Sequence, residues 1–337
     1  MGDVRAKQDN ADQRIIWSHS IFRLKDLSLP LVSHIKIKRG MSLSNIAKQM
    51  EAVKVLGPGR FGRAVGILAE MFRDDNYCNF ISLAGPIVPG GLRTILADLV
   101  DRKLLNGVVT TGANVTHDML EGLGHRHIVG SETMNDTALK RRGLSRIYDL
   151  LVKQTAIEDL EKTTHKMLAH IPETKRRNIA SYELLWEFGK QLRDARSLLN
   201  VAQRRLAPVF CPGIFDSMLG LNLWTYSRFN TLFINPFKDF SKLVDMSYES
   251  KKVGVIILGG GMPKHHVLIA NSYRGGVDAA IQITLDRPEG GGASGAPLEE
   301  AISWGKIKGE NKLATIIGDA TMIFPLLTLA ALERSGR

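Results

Sequence analysis

The sequence predicts an α/β protein built on a doubly wound, mainly parallel β-sheet with helices on both faces. Short runs of apolar and β-branched residues recur along the chain, and segments with helical periodicity lie between them. Most of these runs are continuously apolar rather than alternating, which is typical of strands covered on both faces. Strands separated by helices pair in parallel through right-handed crossovers, so the pattern favours a single open sheet.

The same patterns place the individual elements. Strands are expected at residues 78–84, 107–111, 207–211, 231–234, 254–258, 279–284 and 314–317. Helices are expected at residues 92–103, 180–204, 265–273 and 298–304. No linker composition divides the chain, so we expect one domain over residues 38–337 behind an N-terminal arm, residues 1–37.

Composition narrows the class of protein. A chain of 337 residues with 44% hydrophobic residues can bury a large core without metals or disulfides. Cys78 and Cys211 are the only cysteines, which fits a reduced compartment. No apolar run reaches the roughly 18 residues of a membrane span, and the N-terminus is too polar for a secretory signal. We therefore expect a cytoplasmic location.

The formal charge of +11 raises the question of nucleic-acid binding. Residues 1–50 hold nine Lys or Arg against four acids, and further basic clusters occur at residues 140–142 and 175–177. Aromatic residues do not alternate with these clusters, and no zinc-finger or RNA-binding signature is present. A solvated basic face is favoured, with attraction of an anionic or protein partner as the alternative, and no direct nucleic-acid contact is expected.

A lysine beside a tryptophan, Lys306 and Trp304, is the most informative local feature. A free lysine has a pKa of about 10.4, and burial that lowers it by roughly three units makes the amine competent for imine chemistry. The alternative is a surface charge near the negative end of a helix that Gly305 caps. Local sequence alone favours the surface charge, because lysine is rarely buried.

Glycine-rich loops follow several predicted strands. Residues 259–266 read Gly-Gly-Gly-Met-Pro-Lys-His-His, residues 110–114 read Thr-Thr-Gly-Ala-Asn, and residues 84–86 read Ala-Gly-Pro. Each alone would be an ordinary turn. Several such loops at the carboxyl ends of parallel strands predict a dinucleotide pocket, because glycine admits a close backbone approach and a helix start attracts anions.

The remaining motifs give little information about function. Residues 57–62 match G-x-G-x-x-G, but residues 44–55 before them are predicted to be helical, so no cofactor contact is expected there. Signatures of phosphate-loop, zinc-protease and hydrolase enzymes are missing. Adjacent helical side chains point about 100° apart, so His265 and His266 are not expected to share a metal ion. A base or hydrogen-bonding role for one of them is favoured over metal binding, and a structural histidine is the default where nothing else is known.

Three motifs near the C-terminus stand in a specific order: Gly-Gly-Gly-x-x-Lys-His-His at 259–266, Glu-Ala-Ile-Ser-Trp-Gly-Lys-Ile at 300–307 and Asp-Ala-x-x-Ile-Phe-Pro-Leu-Leu at 319–327. Together they resemble the deoxyhypusine synthase family. Residues 61–65, 110–112 and 208–210 extend the match to residues 38–335.

The resemblance implies a Rossmann-like fold, a homotetramer with active sites shared at a dimer interface, and bound NAD that is recycled. It implies transfer of the 4-aminobutyl group of spermidine to one lysine of the hypusine-containing translation initiation factor precursor. By motif, Lys306 would form the enzyme imine, and His265 would be the base or hydrogen-bond partner. Implied substrate-binding residues are Glu300, Trp304, Gly291, Gly292, Ala293 and His117. Implied cofactor-binding residues are Gly85, Pro86, Ile87, Val88, Pro89, Thr111, Gly112, Ala113, Asp216, Gly260, Leu285, Asp286, Asp319 and Ala320.

The chain departs from the eukaryotic pattern of the family at three acidic positions. Thr116-His117 stands in place of paired glutamates, Leu221 in place of an acid, and residues 291–295 read Gly-Gly-Ala-Ser-Gly. Each lost carboxylate removes about 1–3 kcal/mol of charge-assisted binding, so spermidine is expected to be held differently or more weakly. The pattern is closer to the archaeal branch.

Three functions remain open from sequence. Besides an active deoxyhypusine synthase, these are a homospermidine synthase or broader aminobutyl transferase of the same fold, and a catalytically weak regulatory paralogue. Retention of Lys306, His265 and Trp304 argues against the last. The arm, with Trp17 and Phe22, is either a cover for the active site of a neighbouring subunit or a tail with no regulatory role.

Overall fold

The computed structural model describes residues 31–337, in which nine strands form two sheets. The strands are β1 (Tyr77–Leu83), β2 (Gly107–Thr111), β3 (Ile128–Val129), β4 (Leu144–Ile147), β5 (Leu150–Lys153), β6 (Val209–Gly213), β7 (Lys252–Leu258), β8 (Ala279–Thr284) and β9 (Leu313–Ile317). Six of them form an all-parallel sheet in the spatial order β6-β2-β1-β7-β8-β9. This is the order of dinucleotide-binding folds, and it confirms the predicted Rossmann-like α/β class.

Helices precede, connect and follow the strands of this sheet. They are α1 (Leu43–Val53), α2 (Leu56–Arg73), α3 (Arg93–Asp101), α4 (Gly112–Gly122), α5 (Asp136–Arg141), α6 (Gln154–Ala169), α7 (Glu173–Arg176), α8 (Ser181–Gln191), α9 (Leu198–Arg205), α10 (Met218–Ser227), α11 (Pro236–Glu249), α12 (Gly261–Ser272), α13 (Glu300–Ser303) and α14 (Ala320–Ser335). Within the described residues, none of them is long and apolar enough to cross a membrane.

Both faces of the parallel sheet are buried, as the continuous apolar runs predict. Ile256 and Leu258 of β7 belong to one hydrophobic core, and Val255 and Ile257 belong to a second. Successive side chains of a strand point to opposite faces, so a strand between two cores is mainly apolar on both.

Two predicted elements are wrong and one is much shorter than expected. Residues 231–234 form no strand, because Ile234 makes only a single bridge to Ile179. The helix expected at 180–204 is two helices, α8 and α9, and the predicted helix at 298–304 is reduced to the single turn α13. The break before α9 has a tertiary cause: the buried Asp118 carboxylate accepts hydrogen bonds from the backbone N–H groups of Leu198 and Leu199.

A small antiparallel sheet, in the order β3-β5-β4, was not predicted from sequence. Its strands are only two to four residues long, too short for a period-two pattern to be recognised. β4 and β5 are joined by a two-residue turn, Tyr148 and Asp149.

The proposed arm falls largely outside the described part of the chain. Residues 1–30 are not described, and residues 31–37 are exposed and without helix or strand. The arm's covering role therefore stays a hypothesis from sequence.

The G-x-G-x-x-G match lies inside α2 and follows helix α1 rather than a strand. A Cβ atom at Gly62 would lie 2.2 Å from the backbone nitrogen of Glu51 and 2.6 Å from the carbonyl oxygen of Ala47. Gly62 lets α2 pack closely on α1.

We predict that Gly62→Ala destabilises the protein by about 1–3 kcal/mol, because the new methyl group meets rigid backbone of α1. Thermal or urea unfolding measures the change. Gly57→Ala is the matched control in the same helix, because a Cβ there has no neighbour within 4 Å. Equal stability of both variants would contradict the packing role of Gly62.

Candidate active site

The carboxyl ends of β1, β7, β8 and β9 surround a cavity of about 790 Å³. It lies where the strand order reverses between β1 and β7, which is where open parallel sheets bind ligands. Many of the residues that the family resemblance assigns to the cofactor line it: Gly85, Pro86, Ile87, Pro89, Gly260, Leu285, Asp286, Asp319 and Ala320.

Glycine is required in the loop after β7 because the backbone there touches its neighbours. A Cβ atom at Gly260 would lie 2.4 Å from the Cα of Ser294, and Gly259 has a φ of +77° beside the carbonyl of Ala84. The loop therefore closes against two other loops and leaves the cavity between them.

The polar lining of this cavity is acidic. Asp149, Asp286 and Asp319 contribute carboxylates, whereas no Lys, Arg or His lines it among residues 31–337. Asp319 is committed to the start of α14, where it accepts the backbone N–H of Thr321 at 2.7 Å. The Asp286 side chain is exposed at the end of β8. Ribose hydroxyls suit such a carboxylate, and the N-termini of α12 and α14 suit a pyrophosphate.

These features fit a dinucleotide with a free 2′-hydroxyl. A 2′-phosphate would meet carboxylates and no cation in the lining. The residues present therefore suit NAD better than its phosphorylated form.

Five predicted cofactor residues do not line the cavity: Val88, Thr111, Gly112, Ala113 and Asp216. Thr111, Gly112 and Ala113 surround the β2–α4 junction, and Asp216 follows β6, so these four lie at the same sheet edge. The side chain of Val88 is buried in the protein.

Asn114, which sequence reasoning did not assign, connects this region to the cavity. Its side chain accepts the backbone N–H of Val88 at 3.0 Å and donates to the carbonyl of Gly85 at 3.1 Å. The loop after β1 is thus held by the start of α4.

A second cavity, of about 80 Å³, contains the predicted catalytic residues. Lys306, His265, Trp304, Glu300 and Ala293 all line it. The Nζ atom of Lys306 lies 3.4 Å from the Nε2 atom of His265 and 5.1 Å from the centroid of the Trp304 ring. Partial burial and the neighbouring Lys306 cation hold the pKa of His265 below its ordinary value, which favours a neutral imidazole.

The backbone around Lys306 is held at both ends. Gly305, with a φ of +65°, ends α13, and the N–H of Lys306 returns to the carbonyl of Ala301 at 3.0 Å. This is the Schellman arrangement that the expected glycine cap implies. The carbonyl of Lys306 then accepts the N–H of Val277 at 3.0 Å, which ties the next residues to the start of β8.

Lys306 is only half-buried, and Trp304 is 67% exposed. The small cavity is open on this side. The dry pocket that the imine hypothesis requires is therefore not complete within one chain.

The buried side chains of Lys264 and Gln282 form a hydrogen-bonded clamp that links residues of the two cavities. The Nζ atom of Lys264 donates to Oε1 of Gln282 at 2.9 Å and to the carbonyl of Ala296 at 2.7 Å. The Nε2 atom of Gln282 donates to the carbonyls of Gly259 and Ser294. Lys264 stands in the Gly-Gly-Gly-x-x-Lys-His-His motif, but its spacing alone did not indicate this role.

The remaining predicted substrate residues lie elsewhere. Gly291 and Gly292 are exposed in the loop after β8 and line neither cavity. His117 lies on α4 outside both cavities, and its Nδ1 is 2.9 Å from Nε2 of His127. Burial, followed by the proximity of His127, lowers the pKa of His117 to about 4. A neutral imidazole there does not replace the charge of a glutamate.

We predict that Lys264 makes stability rise with pH in alkaline solution. Burial lowers the pKa of Lys264 to about 8, with Glu300 acting in the opposite direction. Between pH 8 and about 10.4 the unfolded chain binds more protons at this residue, so stability rises across that window by on the order of 3 kcal/mol.

Urea unfolding from pH 7 to 10.5 tests this, with Lys264→Met compared with the wild type. The rise should be missing in Lys264→Met and present in Lys308→Met, which removes an exposed lysine. Parallel pH profiles for the wild type and Lys264→Met would contradict the prediction.

Comparisons with known proteins indicate the same family as the three C-terminal motifs. The family model of deoxyhypusine synthase matches residues 45–331. A protein of Methanothermobacter thermautotrophicus named "Probable deoxyhypusine synthase" is 41% identical over 302 residues, which cover 90% of this chain and 98% of that protein. "Probable deoxyhypusine synthase 1" of Archaeoglobus fulgidus is 40% identical over 305 residues, which cover 90% and 99%.

Among solved structures, a candidate deoxyhypusine synthase from Entamoeba histolytica matches with a TM-score of 0.62 and 18% identity, covering 91% of this chain and 96% of that one. At this identity the match concerns the fold alone. The sequence matches decide the family and confirm the similarity to archaeal proteins that the motifs predicted. The chain belongs to the deoxyhypusine synthase family.

Proposed function

We propose that the protein is an NAD-dependent transferase that moves the 4-aminobutyl group of spermidine, through an imine on Lys306, to a lysine of the hypusine-containing translation initiation factor precursor. The observation that carries this proposal is the position of Lys306 against His265 and Trp304 in one cavity. Membership of the family supports the same reaction.

In this proposal the larger cavity binds the cofactor, and the smaller cavity holds the catalytic side chains. When bound in the larger cavity, NAD would accept a hydride from a carbon beside a spermidine nitrogen and later return it. Asp286 and the N-termini of α12 and α14 would hold the cofactor there. The hydrogen bonds of Lys264 and Gln282 fix the position of the two cavities relative to each other.

In the smaller cavity the reaction needs a base, a nucleophile and a cation site. His265, as a neutral imidazole, accepts a proton at Nε2 while the substrate amine is dehydrogenated. The Nζ atom of Lys306 then attacks the carbon of the resulting imine, and 1,3-diaminopropane leaves. The acceptor lysine displaces Lys306 in the same way, and return of the hydride completes the new secondary amine.

Trp304 and Glu300 would hold the polyamine. The indole offers a face to methylene groups and to an ammonium, and the Glu300 carboxylate pairs with an ammonium. Among the residues described, Glu300 is the carboxylate that lines this cavity. The substitutions that sequence identified leave the loop at 291–295 and the exposed Leu221 without acids, so fewer charges anchor the substrate.

A second subunit would complete the site. Water hydrolyses imines, yet Lys306 is half-buried and Trp304 is exposed in one chain. Met218, Leu221 and Trp224 expose apolar side chains at helical spacing along α10, which suits a contact between subunits. These features support the homotetramer with shared sites that the family resemblance implies.

We expect borohydride to trap a covalent adduct after incubation with NAD and labelled spermidine, because it reduces an imine to a stable amine. Lys306→Arg should abolish the adduct, and Lys308→Arg, the neighbouring lysine that pairs with Asp278, should retain it. Mass spectrometry locates the label. An undiminished adduct in Lys306→Arg would remove Lys306 from the mechanism.

The acceptor is tested by offering labelled spermidine and NAD with either the factor precursor or putrescine. We expect label on the precursor lysine. Label on putrescine alone would favour a homospermidine synthase, and label on neither would favour a regulatory paralogue.

A further inference from the structure

The β4–β5 hairpin contributes a wall to the cofactor cavity that the sequence did not indicate. Tyr148 and Asp149, the two residues of its turn, line the 790 Å³ cavity together with Ile147 and Leu150. The other walls are loops at the carboxyl ends of the parallel strands. The small antiparallel sheet therefore contributes residues to the lining of this cavity.

Tyr148 has an unfavourable backbone conformation. Its φ is +53°, in the left-handed region that favours glycine, and the first position of such a two-residue turn is usually glycine. A bulky residue is costly there. It persists only where the surrounding structure determines it, and such positions cluster at ligand sites.

The surroundings of the turn do hold it in place. Arg146 donates from Nη1 to the carbonyl of Tyr148 at 2.9 Å while its other nitrogens bind the Asp136 carboxylate. The N–H of Gly130 donates to the carbonyl of Asp149 at 2.8 Å. The turn is thus anchored from two neighbouring segments.

The Tyr148 ring packs little against the protein itself, and its hydroxyl faces the Glu132 carboxylate, whose hydrogen bond and negative charge raise the pKa of the phenol. The side chain is 67% exposed and is absent from both hydrophobic cores of the described residues. Packing within the fold therefore does not explain an aromatic residue at this position.

We propose that Tyr148 is a cofactor-contacting residue whose ring packs against the dinucleotide bound in the 790 Å³ cavity. This inference rests on the proposed function, because it requires NAD in that cavity. Flat aromatic side chains bind nucleotide bases by stacking, and loss of one such contact weakens binding from about fivefold to more than a hundredfold.

The role is tested by NAD and NADH titration of the full-length protein freed of nucleotide, with isothermal calorimetry and NADH fluorescence. Tyr148→Gly removes the ring and the backbone strain together. We expect it to unfold at the wild-type temperature or above, yet to bind both nucleotides at least fivefold more weakly. Tyr148→Phe should bind within twofold of the wild type because it keeps the ring.

Two further variants keep the test decisive. Tyr148→Asn also lacks the ring and tolerates the left-handed conformation, so it replaces Tyr148→Gly if that variant is unstable. Phe229→Ala removes an aromatic side chain that is 91% exposed and outside the cavity, and its affinity should be unchanged. Wild-type affinity in the ring-less variants would overturn the role of Tyr148. Absence of NAD binding by the wild type would instead overturn the proposed function.

Discussion

The site depends on one buried side chain, Gln282, in the middle of β8. Its amide accepts a hydrogen bond from Lys264 and donates to the carbonyls of Gly259 and Ser294. A buried amide whose polar atoms are paired is strongly constrained, because each broken bond would leave a buried group unsatisfied. The loop after β7 and the loop after β8 are therefore held together, and the loop after β8 contributes to the lining of both cavities.

The proposed chemistry follows from where this clamp places the rest of the chain. The larger cavity is acidic and bordered by two helix N-termini, so it suits a dinucleotide with free ribose hydroxyls. The smaller one holds a lysine 3.4 Å from a histidine and 5.1 Å from the centre of an indole ring. Hydride transfer and imine exchange can then act on the same bound molecule, provided that a neighbouring subunit excludes water.

Much of the fold could be predicted because β-strands buried on both faces have a local signature. The runs at β1, β2, β7, β8 and β9 are recognisable without knowledge of their partners. The failures have tertiary causes. Leu198 and Leu199 begin a new helix because Asp118, about 80 residues earlier in the chain, binds their N–H groups. Ile234 makes a single β-bridge with Ile179 instead of joining the parallel sheet.

The sequence by itself determined the α/β class, the family and the residues that meet in the smaller cavity, since these follow from local periodicity and from ordered motifs. Only the tertiary structure decided that Lys264 joins the two loops, that His117 lies away from both cavities, and that Tyr148 lines the larger cavity. The physical reason is that these contacts join residues far apart in the chain. Their geometry depends on how loops close over the sheet, which no local pattern records.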